Sequence, residues 1–258
     1  MSRIRPILLL IVLLGSAPLL AKEVHLVPPE HEGGLEMDAW KKAIYTLKEG
    51  DAIFLGDKVY HLGKFVSAMG AGAVVFMDAD SHTPAVIKIE KSPPKSRYIS
   101  LLSLKVQFET LKELEGQGVA VAKPLELGPE GVLMRQALAP GVTAEEYFNR
   151  IFWSCTPEQK QKAIDSIDRL FHFMATRHLL TADLHAKNLT IDPETGAPTI
   201  IDPGPILPGN GLAHVGYLEE QLSLHNHQAA EMFKALEEQH ACLSTIGSVA
   251  PESRQTGK

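Results

Sequence analysis

Residues 181–205 read TADLHAKNLTIDPETGAPTIIDPGP. Asp183 and Asn188 stand five residues apart, and Asp202 follows nineteen after Asp183, directly behind the apolar pair Ile200-Ile201. "LTID" and "PTIID" are short apolar runs on either side of the turn tetrapeptide "PETG", so the stretch reads as a strand, a hairpin turn and a return strand. Such a hairpin brings Asn188 and Asp202 back to the same end. One Asn and one Asp are a sufficient protein share of a Mg²⁺ site, because this hard cation takes oxygen ligands and fills its other positions with water and phosphate oxygens. Turn residues of a plain surface hairpin have the same spelling, and the rest of the chain has to separate the two readings.

The chain of 258 residues is 45% hydrophobic and 22% charged, a globular composition with room for one large domain or two small lobes. Its formal net charge is −6 and no basic run is interleaved with aromatics, so no nucleic-acid partner is expected. Residues 1–21, MSRIRPILLLIVLLGSAPLLA, carry Arg3 and Arg5, an apolar run from Ile7 to Leu14 and then small residues, the layout of a secretory signal peptide. The expectation is an exported protein, membrane-anchored if Leu19, where a small residue is preferred, prevents cleavage. Export permits disulfides, but Cys155 and Cys242 are the only cysteines, and two separate thiols account for them equally well. Asn188-Leu189-Thr190 is a glycosylation sequon; a glycan there would remove Asn188 as a ligand, which favours a bacterial source.

Residues 22–50 form an N-terminal extension in which Leu35, Met37, Trp40, Ile44 and Leu47 recur at helical spacing up to Gly50. Over 51–138, "AIFLG", "KVYHLGKFVSA", "AVVFMDA" and "AVIKIEK" read as strands of a small antiparallel sheet. A helix over 97–115 with Leu101, Leu104, Phe108, Leu111 and Leu114 on one face follows, then strands around "VAKPLEL" and "GVLMRQAL". Beyond Pro140-Gly141 the chain is mostly helical to residue 240. Thr143 and Thr156 are N-cap candidates, Pro157 is at N1, and Ile164, Ile167, Phe171 and Met174 form an apolar stripe. Residues 241–258 read as a loose tail. The fold class is α+β: a sheet lobe with one helix, a Pro-Gly joint, and a short helical lobe.

Nucleotide phosphoryl transfer needs a close-approaching backbone over the phosphates, a cation on them, metal ligands, and a carboxylate for the attacking hydroxyl. Gly70 and Gly72 lie at a tight turn of the sheet, where missing side chains let N–H groups reach anionic oxygens. Lys88 is the one cation inside the apolar, β-branched run "AVIKI", sharing a face with Val86 and Glu90; alternation alone places that face at a polar sheet edge.

In these parts and their order the chain resembles the protein-kinase-like superfamily. "DLHAKN" is similar to the catalytic loop of aminoglycoside phosphotransferases and their relatives, "IIDPG" to the metal-binding Asp-Phe-Gly motif with Pro203 for Phe, and "AVIKIEK" to the Val-Ala-Ile-Lys strand. The resemblance runs from about Val59 to Pro205 and implies a two-lobed fold using ATP and Mg²⁺. It makes Asp183 the catalytic base, Asn188 and Asp202 the metal ligands, Lys88 and the Gly70–Gly72 turn the phosphate contacts, and Leu133 to Ala137, with Arg135 between them, the hinge that holds adenine. Thr181 stands where the family has His, Ala68 and Ala73 fill two of its glycine positions, and leucine spacing puts Gln107, with Glu109 off that face, where a glutamate would pair with Lys88. With 53 residues after Pro205 the helical lobe is short, as in small effector kinases of bacterial pathogens, and a protein acceptor is expected. The alternatives are a small-molecule kinase, favoured by "DLHAKN", and a nucleotide-binding pseudokinase or scaffold, favoured by the sparse glycines and Gln107.

Overall fold

The computed structural model describes residues 21–29, 34–67, 72–92 and 103–207, with Glu231 and Lys234 beyond them. The leader, Gly70, Leu101, the segment around His225 and His227, Cys242 and the tail lie outside the described residues. Among the described residues no helix is long and apolar enough to cross a membrane.

The larger sheet has seven strands in the order β1-β2-β3-β4-β5-β7-β6. They are β1 (Glu23–His25), β2 (Ala52–Leu55), β3 (Lys58–Ser67), β4 (Ala73–Asp78), β5 (Ala85–Glu90), β6 (Pro124–Leu127) and β7 (Leu133–Ala137). From β2 onward every pairing is antiparallel, as the alternation predicts, whereas β1 adds to β2 in parallel. The N-terminal extension thus joins the sheet lobe. Helix α1 (Gly34–Tyr45) lays Met37, Trp40 and Ile44 onto a core that includes Ile53, Leu62, Phe76, Ile87 and Ile89. Trp40 also donates its indole N–H to the Glu90 carbonyl at 2.9 Å, so its polar edge is satisfied inside that core.

One sequence expectation changes here. β5 is central, between β4 and β7, and all six of its residues are buried. Lys88 is therefore not on a solvated edge. Ile87 and Ile89 point to the core under α1, and helix α2 (Leu104–Gly116) and the second lobe cover the other face.

Ser103 caps α2 by accepting the Val106 N–H at 3.3 Å, and its buried face is Leu104, Gln107, Thr110, Leu111 and Leu114. Its first turn has no acidic residue of its own. Glu90 of β5 supplies one through space, its Oε1 accepting the Leu104 N–H at 2.6 Å.

After β7 the chain passes Gly141, whose φ of +82° sits where a Cβ would run into the Ile191 carbonyl, so this crossing requires glycine. A three-stranded sheet follows, in the order β11 (Pro198–Ile200), β10 (Leu189–Ile191), β8 (Val142–Thr143). Thr143 caps the short helix α3 (Ala144–Glu146), which runs through wider and tighter turns to Ser154. Helix α4 (Pro157–Thr176) starts with a capping box between Thr156 and Gln159, has Pro157 at N1, and buries the stripe Ile164, Ile167, Phe171 and Met174 with Tyr147, Phe148 and Phe152. Phe171 is core as expected; Phe173 is only partly buried, beneath the Arg177 guanidinium.

Glu90 also gives the lobe a pH response. It is 3% exposed, its Oε2 has no hydrogen-bond partner among the described residues, and burial pushes its pKa up to about 7 against the bond from Leu104. A folded-state pKa above the unfolded value means stability is fullest below about pH 4.5 and is lost as pH rises through about 7, up to about 3 kcal/mol from this group. The melting temperature should fall by several degrees between about pH 5 and 8, and Glu90→Gln should flatten that fall. An unchanged slope in the variant would contradict the assignment.

Candidate active site

The hairpin forms as the sequence predicts. β10 and β11 pair antiparallel with Leu189 opposite Ile200, and the Ile201 N–H donates to the Asn188 carbonyl at 2.9 Å, bringing Asn188 and Asp202 to one end. The turn is closed by Asp192, which accepts the Glu194 N–H at 2.9 Å and the Thr195 hydroxyl at 2.8 Å. On the other side β9 (Leu180–Thr181) pairs with β12 (Ile206–Leu207). The Asp183 N–H donates to the Pro203 carbonyl at 3.1 Å and Ala182 to Pro205 at 2.8 Å, clipping the loop of Asp183 to the segment of Asp202. Gly204, φ +63°, makes the clip possible: a Cβ there would lie 2.9 Å from Asp183 Cβ.

The Asn188 amide orients Asp183. Its Nδ2 donates to the Asp183 carbonyl at 2.7 Å and to Oδ2 at 3.1 Å, which uses both N–H groups and turns Oδ1 away from Asp183. His185 packs beside them: its Nδ1 accepts the Lys187 N–H at 3.2 Å, and its Nε2 lies 3.2 Å from Asn188 Nδ2 and 3.6 Å from Asp183 Oδ1. Burial raises the Asp183 pKa and the Asp202 charge adds to this, against the lowering by His185 and the Asn188 bond. Lys187 reaches Glu145 of α3 at 3.5 Å, and the Glu145 N–H donates to the Ala186 carbonyl at 3.1 Å, fastening the loop to the start of the second lobe.

Lys88 meets this assembly from the sheet. Its Nζ donates to Gln107 Oε1 at 2.9 Å and to the Ile201 carbonyl at 3.0 Å, while Gln107 Nε2 donates to Asp202 Oδ1. Between Gln107 and Glu109, the lysine's partner is Gln107. Burial pulls the Lys88 pKa down and the Asp202 charge opposes that. Gln136 on β7 also donates to the Ile201 carbonyl, at 3.0 Å, and to Ala122 at 3.2 Å. The sequence reading missed Gln136; its signal was a glutamine in the otherwise largely apolar strand "VLMRQAL".

These groups line a cleft of about 940 Å³ between the sheet lobe and the hairpin, within the range of small-molecule sites. Lys88, Asp183, Asn188, Asp202, Gly72 and Ala137 all border it. Gly72 has open space where a Cβ would stand, and its carbonyl accepts the Lys91 N–H at 2.9 Å.

Leu133 and Arg135 do not border the cleft, which corrects the expected hinge. β7 has a strand on each side, so the backbone of these residues is committed to the ladders, and their side chains face away. Leu133 is in the core under α1. Arg135 donates to buried Asp78 at 2.5 Å and to Glu126 at 3.1 Å, and Lys58 joins Glu126 at 2.5 Å. The cleft wall runs instead from Gln136 and Ala137 through Leu138 and Ala139.

The chain sets out a sheet lobe with one helix against the lysine strand, a linker past the end of β7, and a second lobe presenting the Asp-Asn hairpin to that lysine. No protein-family model matches the sequence, and no curated protein does. Among solved structures it is similar to the PknI kinase domain of Mycobacterium tuberculosis, at 14% identity over 64% of this chain and 72% of that one, with a TM-score of 0.42.

Gly204→Ala is expected to leave the circular dichroism spectrum near wild type while displacing Asp183. With Asp183 as the base that the resemblance implies, a displacement of that kind would lower turnover on the order of 10²-fold. Equal turnover in the two proteins would show that the close contact of Gly204 with Asp183 is not needed.

Proposed function

We propose that the protein is a kinase-like phosphotransferase that moves the γ-phosphate of ATP to a hydroxyl group, most simply on a protein. The observation that carries this is the convergence of a buried lysine from the centre of one sheet with an Asp, Asn and Asp set from a hairpin of the other lobe, inside one cleft. Three plain turn residues have no reason to meet a buried ammonium.

The residues fit a hard divalent cation. Asp202 and Asn188 offer a carboxylate and an amide oxygen at the same hairpin end, and the Gly204 turn leaves the cleft wall free of a side chain beside them. When bound, Mg²⁺ supplies charge neutralisation on the phosphate oxygens. Lys88 adds a positive charge that the fold has already desolvated and aimed, so its effect on an anion is larger than in water. Asp183, kept more basic than usual by burial and held by Asn188, receives the acceptor's proton. The acceptor oxygen bonds to the γ-phosphorus as the bond from that phosphorus to the bridging oxygen breaks, and ADP leaves with those electrons. The leader over residues 1–21 supports an exported protein.

One observation favours a second reading, a nucleotide-binding pseudokinase: the partner of Lys88 is the neutral Gln107 rather than a carboxylate.

The test is transfer of label from γ-labelled ATP by the full chain with Mg²⁺ and a protein extract, beside an aminoglycoside acceptor. Labelled protein is expected, with Asp183→Ala and Asp202→Ala each lowering the rate by at least about 10²-fold. Label on the aminoglycoside alone would give the small-molecule kinase. Nucleotide binding without any transfer would give the pseudokinase, and no binding would end the nucleotide reading.

A further inference from the structure

Gln107 lies on the buried face of α2 at 5% exposure, and both ends of its amide are used. Oε1 accepts from the Lys88 ammonium at 2.9 Å, and Nε2 donates to Asp202 Oδ1. The orientation is dictated by chemistry, because an ammonium only donates and an ionised carboxylate only accepts. An amide is the neutral group that meets one of each at once. A glutamate in this place would satisfy Lys88 but set a second carboxylate oxygen against Asp202 Oδ1 with no donor between the two.

We propose that Gln107 is a positioning residue, a neutral two-way connector that holds the Lys88 ammonium and the Asp202 carboxylate in one chain of hydrogen bonds. It thereby ties α2 of the sheet lobe to the metal-binding segment of the other lobe. Calling Lys88 a phosphate contact and Asp202 a cation ligand rests on the function proposed above; the connector itself is a property of the protein without nucleotide. While the tie is intact one lone pair of Asp202 Oδ1 is engaged by the Gln107 amide. The register of α2 on β5 and the placing of Asp202 are then one adjustment, and the lobes set the two charges together.

Thermal unfolding of the full chain, without nucleotide, in EDTA and in millimolar Mg²⁺, tests this. Gln107→Glu is expected to lower the melting temperature by roughly 5–10 °C in EDTA, and Mg²⁺ should restore at least half of the loss by bridging the two carboxylates. Gln107→Met, similar in length but unable to make either bond, should melt lower than wild type in both buffers, with a response to Mg²⁺ no larger than that of the wild type. The double variant Gln107→Glu, Asp202→Asn exchanges amide and carboxylate, so Lys88 keeps its acceptor and residue 202 becomes the donor. It should melt well above Gln107→Glu in EDTA and be indifferent to Mg²⁺. A Gln107→Glu protein as stable as wild type in EDTA, or a double variant no better than the single, overturns the connector. Should Gln107→Glu not fold, the double variant decides alone: folded supports the connector, unfolded overturns it. Failure of the wild type to bind nucleotide would end the phosphotransfer reading and leave this series to be judged on its own.

Discussion

A lysine ammonium in the middle of a seven-stranded sheet is the constraint around which this protein is arranged. Out of water the charge is costly unless acceptors surround it, and a central strand offers none, since its own backbone groups are spent on the neighbouring ladders. Lys88 finds them outside its sheet, in the side chain of Gln107 and the carbonyl of Ile201, with the charge of Asp202 beyond. Each partner enforces a piece of architecture. Gln107 requires α2 to cross the strand in one register, and Ile201 requires the second lobe to bring its hairpin against the sheet. Gln136 adds a second bond to the same carbonyl, so this one oxygen is a joint between the lobes.

The chemistry on the other side of the cleft is held by backbone. Two short strand pairs and the Asp183-to-Pro203 hydrogen bond place the Asp183 loop against the Asp202 segment, and the Asn188 amide fixes the Asp183 carboxylate within that frame. Short strands suffice because the apolar cluster beneath, with Leu184, Leu189, Ile191 and Ile200 among the residues of α4, carries the burial. Val121 and the backbone of Ala120 and Ala122, after α2, bridge to Ile200 and give the interface a further seam.

Where the sequence was misleading, the cause was the same each time: period-two alternation gives faces but not neighbours. It put Val86, Lys88 and Glu90 on one face, yet whether that face meets water depends on β7 lying beyond β5, a pairing between residues far apart in the chain. It marked Leu133 to Ala137 as a strand but could not say that β6 would occupy its second edge and commit its backbone, nor that Asp78 and Glu126 would draw Arg135 to the far face. The parallel addition of β1 was equally hidden, since a three-residue strand carries almost no pattern of its own.

Local rules are enough for the parts and their order: the hairpin from its turn tetrapeptide, the caps at Thr143 and Thr156, the stripe on α4, and the placing of Gln107 on the leucine face of α2. These follow from rules acting over a few residues, where propensity, capping and periodicity leave little choice. Long-range packing settles that Lys88 is buried, that Gln107 reaches Asp202 as well as the lysine, that Gly204 must be glycine to let two loops touch, and that the cleft wall starts at Gln136 and Ala137. Each of those depends on which distant segment comes to rest against a given side chain, and that is set by burial of charge and apolar surface over the whole chain.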